Sequence, residues 1–173
     1  PELRLPFEGT PRMSLAKPGR VLRALAPHRI WASAQGAFYA SPAYVALLKG
    51  PVPADVRGTP AELWTGDAAA GHALVAGLLL YRGARTPLGD APFAPGSAAT
   101  GPIGAALHGF GWLRDLRAAN TEDAHHAARR LTEQWLAAQP RWSRDAWRAD
   151  VSGERIANWL THYVFLGADR DPA

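Results

Sequence analysis

The sequence predicts an all-α domain of stacked antiparallel helices, with an irregular N-terminal arm and a long Pro/Gly loop. Three observations predict it. Apolar residues recur at intervals of three and four through 103–167, the period of a helix with one buried face. Strand signals are scarce, residues 78–81 being the single short apolar run that could extend. Trp-Leu occurs at 112–113, 135–136 and 159–160, spaced 23 and 24 residues apart. One helix plus one short loop fills such a spacing, so each helix is expected to bury a Trp at equivalent depth. Layers of this kind grow into solenoids or close into rings.

Each element has its own signals. Residues 1–12 read as a tag or disordered leader ahead of Met13-Ser14, a common translation start, and the helical domain spans 13–173. Residues 20–26 carry Val21, Leu22 and Leu25 at helical spacing until Pro27 stops them. Tyr39, Tyr44, Leu47 and Leu48 form a second apolar cluster, followed by the rigid link Gly50-Pro51-Val52-Pro53. A helix over about 67–82 begins near Asp67 and carries Leu74, Val75, Leu78 and Leu79. Residues 84–102, rich in Pro and Gly, show neither period and read as a surface loop.

Three longer helices follow. The first covers about 103–118, with Pro102 at its start and Ile103, Leu107, Phe110, Leu113 and Leu116 as its stripe. The second covers about 122–138, with Thr121 as N-cap, Glu122 and Asp123 in the first turn, and Pro140 beyond its end. Its stripe is Ala124, Ala128, Leu131, Trp135 and Leu136. The third covers about 152–166, capped by Asp150 or Ser152 and stopped by Gly167; its stripe is Ile156, Trp159, Leu160 and Tyr163.

Composition narrows the function classes. With 47% apolar and 20% charged residues over 173 positions, wholesale disorder is excluded. The absence of cysteine excludes disulfide scaffolds, thiolate metal sites and cysteine nucleophiles. No apolar run approaches the roughly 20 residues of a membrane helix, and residues 1–11 hold two acids and no apolar run, so no secretory signal is visible. The net charge of +4 comes almost wholly from arginine, whose fork suits carboxylate, sulfate or phosphate. So small an excess argues against nucleic acid and fits an acidic ligand.

Candidate site residues come from spacing and surroundings. Arg155, Asn158 and His162 lie at +3 and +7 on one helix face. They could bind a carboxylate and move a proton, or equally form a polar seam between helices or a solvated face. His108 lies beside Gly109 and Gly111; glycines in a helical pattern admit a close backbone or a ligand. Arg114 and Asp115 read as structural pairs with neighbouring helices. Trp142 and Trp147 sit among Arg141, Arg144 and Arg148. That mixture suits sugar stacking or single-stranded nucleic acid, or both tryptophans plug the end of the helix layer. His125 and His126 are adjacent, point about 100° apart on a helix and cannot share a metal. No metal or cofactor is expected.

Four blocks stand in order: residues 47–53 (Leu-Leu-Lys-Gly-Pro-Val-Pro), Glu62-Leu63-Trp64-Thr65-Gly66-Asp67 with Gly71 and Gly77, residues 107–116 (Leu-His-Gly-Phe-Gly-Trp-Leu-Arg-Asp-Leu), and Trp147, Asp150 and Val151 followed by Arg155-Ile156-x-Asn158-Trp159-Leu160. Together they resemble the N-terminal region of heparinase II/III-like proteins. The resemblance covers residues 14–167. It implies part of an α/α toroid ahead of a β-sandwich, in a polysaccharide lyase that cleaves an acidic, uronate-containing glycan by β-elimination. The family's Asn-His motif and catalytic Tyr are expected beyond Ala173, so this chain would be an inactive piece completed by the rest of its polypeptide. No catalytic residue is carried over. Arg155, Asn158 and Trp159 match the family's recurrent helix and would line the cleft, with His162, His108 and Trp147 as further substrate-binding candidates. The family analogy implies the periplasm. The alternative is a non-catalytic helical interaction module that self-associates as a homodimer.

Overall fold

A computed structural model describes residues 31–51, 56, 58–94, 96–97 and 100–167. The expected leader over 1–12 and the helix over 20–26 lie outside the described residues. Helices dominate. They are α1 (residues 31–39), α2 (Pro42–Leu47), α3 (Ala68–Val75), α4 (Gly101–Gly109), α5 (Leu113–Ala119), α6 (Glu122–Ala138) and α7 (Ala149–Thr161). A two-stranded antiparallel hairpin, β1 (Leu78–Tyr81) and β2 (Ala84–Pro87), separates α3 from α4.

The helix expected over 67–82 starts as read. The Asp67 side chain accepts from the amides of Ala69 and Ala70, satisfying two of the first-turn donors. It stops at Val75 because Gly77 is left-handed at φ 82°, and the chain leaves as β1. Arg82 and Gly83, both at positive φ, make the tight turn into β2. The head of the expected surface loop is therefore a strand. Farther along, Leu88, Pro92 and Phe93 are buried. Gln134 Nε2 and Gln139 Nε2 on and just after α6 donate to the carbonyls of Asp90 (3.2 Å) and Phe93 (2.9 Å), fixing that segment.

The single helix expected over 103–118 is two. Phe110 closes α4 in the left-handed region at φ 62°, a conformation that costs a non-glycine residue about 1–2 kcal/mol. The break drives its ring into the centre of the core, where it is fully buried. Trp112, Trp135 and Trp159 surround it at centroid distances of 4.8, 5.9 and 5.1 Å, and Phe93 stacks at 6.2 Å. All three rhythmic tryptophans thus meet at one ring. Their following leucines are not equivalent: Leu113 is buried, whereas Leu136 and Leu160 are exposed, as is Ile156.

Helix α6 matches its expected bounds, with Thr121 Oγ1 accepting from the Ala124 amide at 3.2 Å. Helix α7 begins three residues early, with Arg148 at the N-cap and paired to Asp150, and ends at Thr161. Turns then carry the chain to Gly167, and the Phe165 carbonyl lies 3.2 Å from His125 Nδ1.

Segment 62–75 lies directly on α5. A Cβ at Gly66 would run into the Arg114 carbonyl, and one at Gly71 into the Asp115 carbonyl and the Ala119 methyl. A second tie is the Asp67 amide, which donates to Asp115 Oδ1 at 2.9 Å. Gly71→Ala is therefore expected to lower stability by about 1–3 kcal/mol through overpacking, outweighing the helix-propensity gain of ~1 kcal/mol. Gly153→Ala, at a site on α7 with nothing near its Cβ position, is expected to gain up to about 1 kcal/mol. Urea midpoints of the two variants check both signs.

Candidate functional site

The C-terminus of α4 leaves carbonyls without helical partners, and side chains supply them. Trp112 Nε1 donates to the Leu107 carbonyl (3.0 Å), an Arg155 guanidinium nitrogen to that of His108 (3.2 Å), and Asn158 Nδ2 to that of Gly109 (2.8 Å). Arg155 also donates to the Ala146 carbonyl (2.7 Å) and Ser152 Oγ (3.2 Å). It is 2% exposed. No carboxylate pairs with it among the described residues; its cation instead lies over Trp135, Trp147 and Trp159, at 4.3, 5.1 and 5.8 Å from the ring centroids. Burial lowers its pKa.

His108 is held from the other side. Its Nδ1 lies 3.0 Å from the Trp135 Nε1 donor and must accept, so the neutral ring carries its proton on Nε2. Burial first, and the Arg155 charge second, push its pKa down, against a smaller upward pull from Asp145. His162, 1% exposed, sits just past α7. Its Nε2 is 3.0 Å from Glu62 Oε2 but out of line for a hydrogen bond, and its Nδ1 has no partner among the described residues. Burial lowers its pKa, Glu62 opposes this, and Arg117 and Arg114 add to the lowering.

Arg155 and Asn158 therefore serve one seam, the α4–α7 contact, and His162 serves another contact, with the segment before α3. Trp159 packs edge-on to Phe110 and Trp135, its buried Nε1 without a partner among the described residues. Of the Arg114–Asp115 pair, Asp115 bonds the Asp67 amide as expected of a structural residue. Arg114, by contrast, makes no ion pair among the described residues.

Open surface lies elsewhere. Trp147 and Trp142 line a groove of about 490 Å³ with Tyr39, Tyr44 and Arg141. Helix α1 reaches it because Gly36 lets the Trp142 ring approach, and Tyr39 packs on Trp142 at 5.7 Å. A neighbouring groove of about 460 Å³ has His108 and Asp145 in its wall and shares Arg141 and Trp142. A third, about 480 Å³, lies over His162. Periodicity could not bring Tyr39 to Trp142, because the two are more than a hundred residues apart in an irregular region. The available signal was the clustering of aromatic residues near each.

Among the described residues no cluster of three or more His, Asp or Glu is placed to hold a metal, and no helix is long and apolar enough to cross a membrane. Comparison with protein-family models, curated proteins and solved structures finds no match.

Two outcomes follow from this chemistry. Arg155→Ala uncovers the His108 and Ala146 carbonyls inside the core and is expected to cost about 2–4 kcal/mol; Arg155→Lys should recover only part, since one ammonium cannot span the fork. Denaturant unfolding measures both. His108 and His162 titrate below the ordinary ~6.5, so the folded chain binds protons less readily than the unfolded one. Their contribution is fully present above ~6.5 and falls away as pH drops below it, by at most ~1.4 kcal/mol per pH unit for each. Unfolding at stepped pH, with His162→Gln flattening the slope, checks this.

Proposed function

We propose that this chain is the N-terminal helical region of a heparinase II/III-like polysaccharide lyase, one arc of an α/α toroid, and that it binds an acidic glycan without cleaving it by itself. The observation that carries the reading is the groove walled by Tyr39, Tyr44, Trp142 and Trp147, with Arg141 in its lining. A pyranose offers a C–H face to an aromatic ring and hydroxyls to its polar edge. Tyr and Trp provide both surfaces, and Arg141 provides a fork for an acid group. A second support is that three of the blocks carrying the family resemblance touch one another. Gly66 and Asp67 lie on Arg114 and Asp115, and Arg155 and Asn158 bond the carbonyls of His108 and Gly109. By the same analogy the proposed compartment is the periplasm.

Two of the candidate residues, His108 and Arg155, are not free for the chemistry of cleavage. β-Elimination needs a base for the C5 proton and a group that neutralises the uronate carboxylate. The Nδ1 lone pair of His108 is taken by Trp135, and its Nε2 already holds a proton. Three Arg155 N–H donors are taken by protein oxygens, and the cation lies buried over indoles. A second reading, a self-associating helical module, is favoured by the apolar row Ile156, Leu160 and Val164 along α7 and just past it, with exposures of 54, 37 and 61%.

Titration with alginate and heparin oligosaccharides is expected to show binding that Trp142→Ala and Tyr44→Ala each weaken about tenfold, equivalent to ~1.4 kcal/mol. Ultraviolet absorbance of an unsaturated uronate should not rise. Dimerisation in sedimentation, without glycan binding, would transfer the assignment to the second reading.

A further inference from the structure

The groove over His162 shares no lining residue with the aromatic groove. One wall is the extended segment before α3, with Trp64 as its large side chain; the other is α5, with Arg114 and Arg117. Those two arginines are three residues apart and so lie on one helix face. Neither makes an ion pair among the described residues. They stand close enough to His162 to oppose its protonation. Trp64 is 66% exposed and Leu63 beside it 78%, so the indole is open to a ligand.

The wall is rigid although it is not helical. Gly66 rests on the Arg114 carbonyl, the Asp67 amide is tied to Asp115, and the Trp64 amide donates to Glu62 Oε1 at 3.3 Å. Glu62 is the one carboxylate in the groove lining. One of its oxygens accepts from that amide, and the other lies 3.0 Å from His162 Nε2 without a hydrogen bond. Two guanidinium charges therefore face one carboxylate, leaving a net positive groove beside an open aromatic ring. Buried at its floor is His162, with Nδ1 unpartnered among the described residues.

We propose that this groove is an anion subsite: Arg114 and Arg117 hold the carboxylate or sulfate of a sugar unit whose ring stacks on Trp64. The proposal rests on the glycan-binding reading and adds to it a second place, besides Arg141, where an acid group is recognised. The two arginines supply forks matched to planar or tetrahedral oxyanions. The indole covers the apolar sugar face and is itself covered in return. Trp64, Arg114 and Arg117 then act as one unit, set by the packing of Gly66 on α5.

The test uses the whole chain and three probes: alginate oligomers (carboxylate), the same oligomers with their carboxyls reduced to alcohols, and heparin oligomers (carboxylate and sulfate). The wild-type chain is expected to bind alginate oligomers about tenfold more tightly than the reduced ones. In Arg114→Gln/Arg117→Gln that ratio should fall severalfold, toward the share that Arg141 sustains in the aromatic groove, with binding of the reduced oligomer unchanged. Should the double variant melt early, Arg117→Gln, at an exposed position, must still lower the ratio. Trp64→Ala should weaken alginate and its reduced form alike. Stronger loss for heparin than for alginate assigns the site to sulfate, and the reverse assigns it to carboxylate. A ratio unchanged in the arginine variants overturns the subsite while leaving glycan binding intact. No binding of any probe by the wild-type chain overturns both.

Discussion

The last turn of α4 ends in carbonyls that no helical amide reaches, and their capture by Trp112, Arg155 and Asn158 holds the other parts in place. Each buried carbonyl left bare would cost on the order of 1–3 kcal/mol. Satisfying them with side chains frees the backbone to turn at Phe110 instead of continuing as a helix. The turn sends Phe110 inward, and the ring organises Trp112, Trp135 and Trp159 around it. The cage in turn holds Arg155, whose cation rests on two of those indoles and on Trp147. Cap, break and aromatic cage are one interlocked arrangement.

Close backbone approach is the second constraint. Gly66 and Gly71 put the segment before and within α3 against carbonyls of α5. Gly36 has the same role for α1 and Trp142. These contacts set the walls of the aromatic and cationic grooves: a side chain has no room at Gly66 or Gly71, and at Gly36 it would press on the Trp142 ring. Small residues that touch no ligand thereby decide where Trp64 and Trp142 stand.

Much of the helical content was legible because α6 carries its own signals: a Thr cap, first-turn acids and an uninterrupted stripe. The α4–α5 break was not, since Phe110 and Leu113 fit the same stripe whether the helix continues or turns. What decides between them is a guanidinium and an amide from α7, which periodicity cannot see. The hairpin was hidden by leucines that suit helix and strand equally; Gly77 was the deciding residue. The Trp-Leu rhythm located three tryptophans of the core, but Leu136 and Leu160 point outward because dipeptide spacing ignores helix phase. For the candidate site, the common face of Arg155 and Asn158 was readable, whereas the carbonyls they serve were not. Trp147, readable either as an exposed stacking surface or as a plug, has both characters: it is 38% exposed and packs on Trp135. Tyr39 and Tyr44, which share its groove, come from another part of the chain, and no local pattern could join them.

Two of the three donors that finish α4 come from residues 47 and 49 positions farther along the chain. During synthesis at roughly 5–20 residues per second, the elbow at Phe110 therefore waits several seconds for its cap to leave the ribosome. Contacts of such long sequence separation also slow the folding search, because loop closure precedes their reward. Over that interval a nascent α4 has bare carbonyls and a large aromatic ring with no cage, the features that chaperones recognise in an unfinished chain. The same device that locks the finished core thus delays its assembly, which is completed only when α7 arrives.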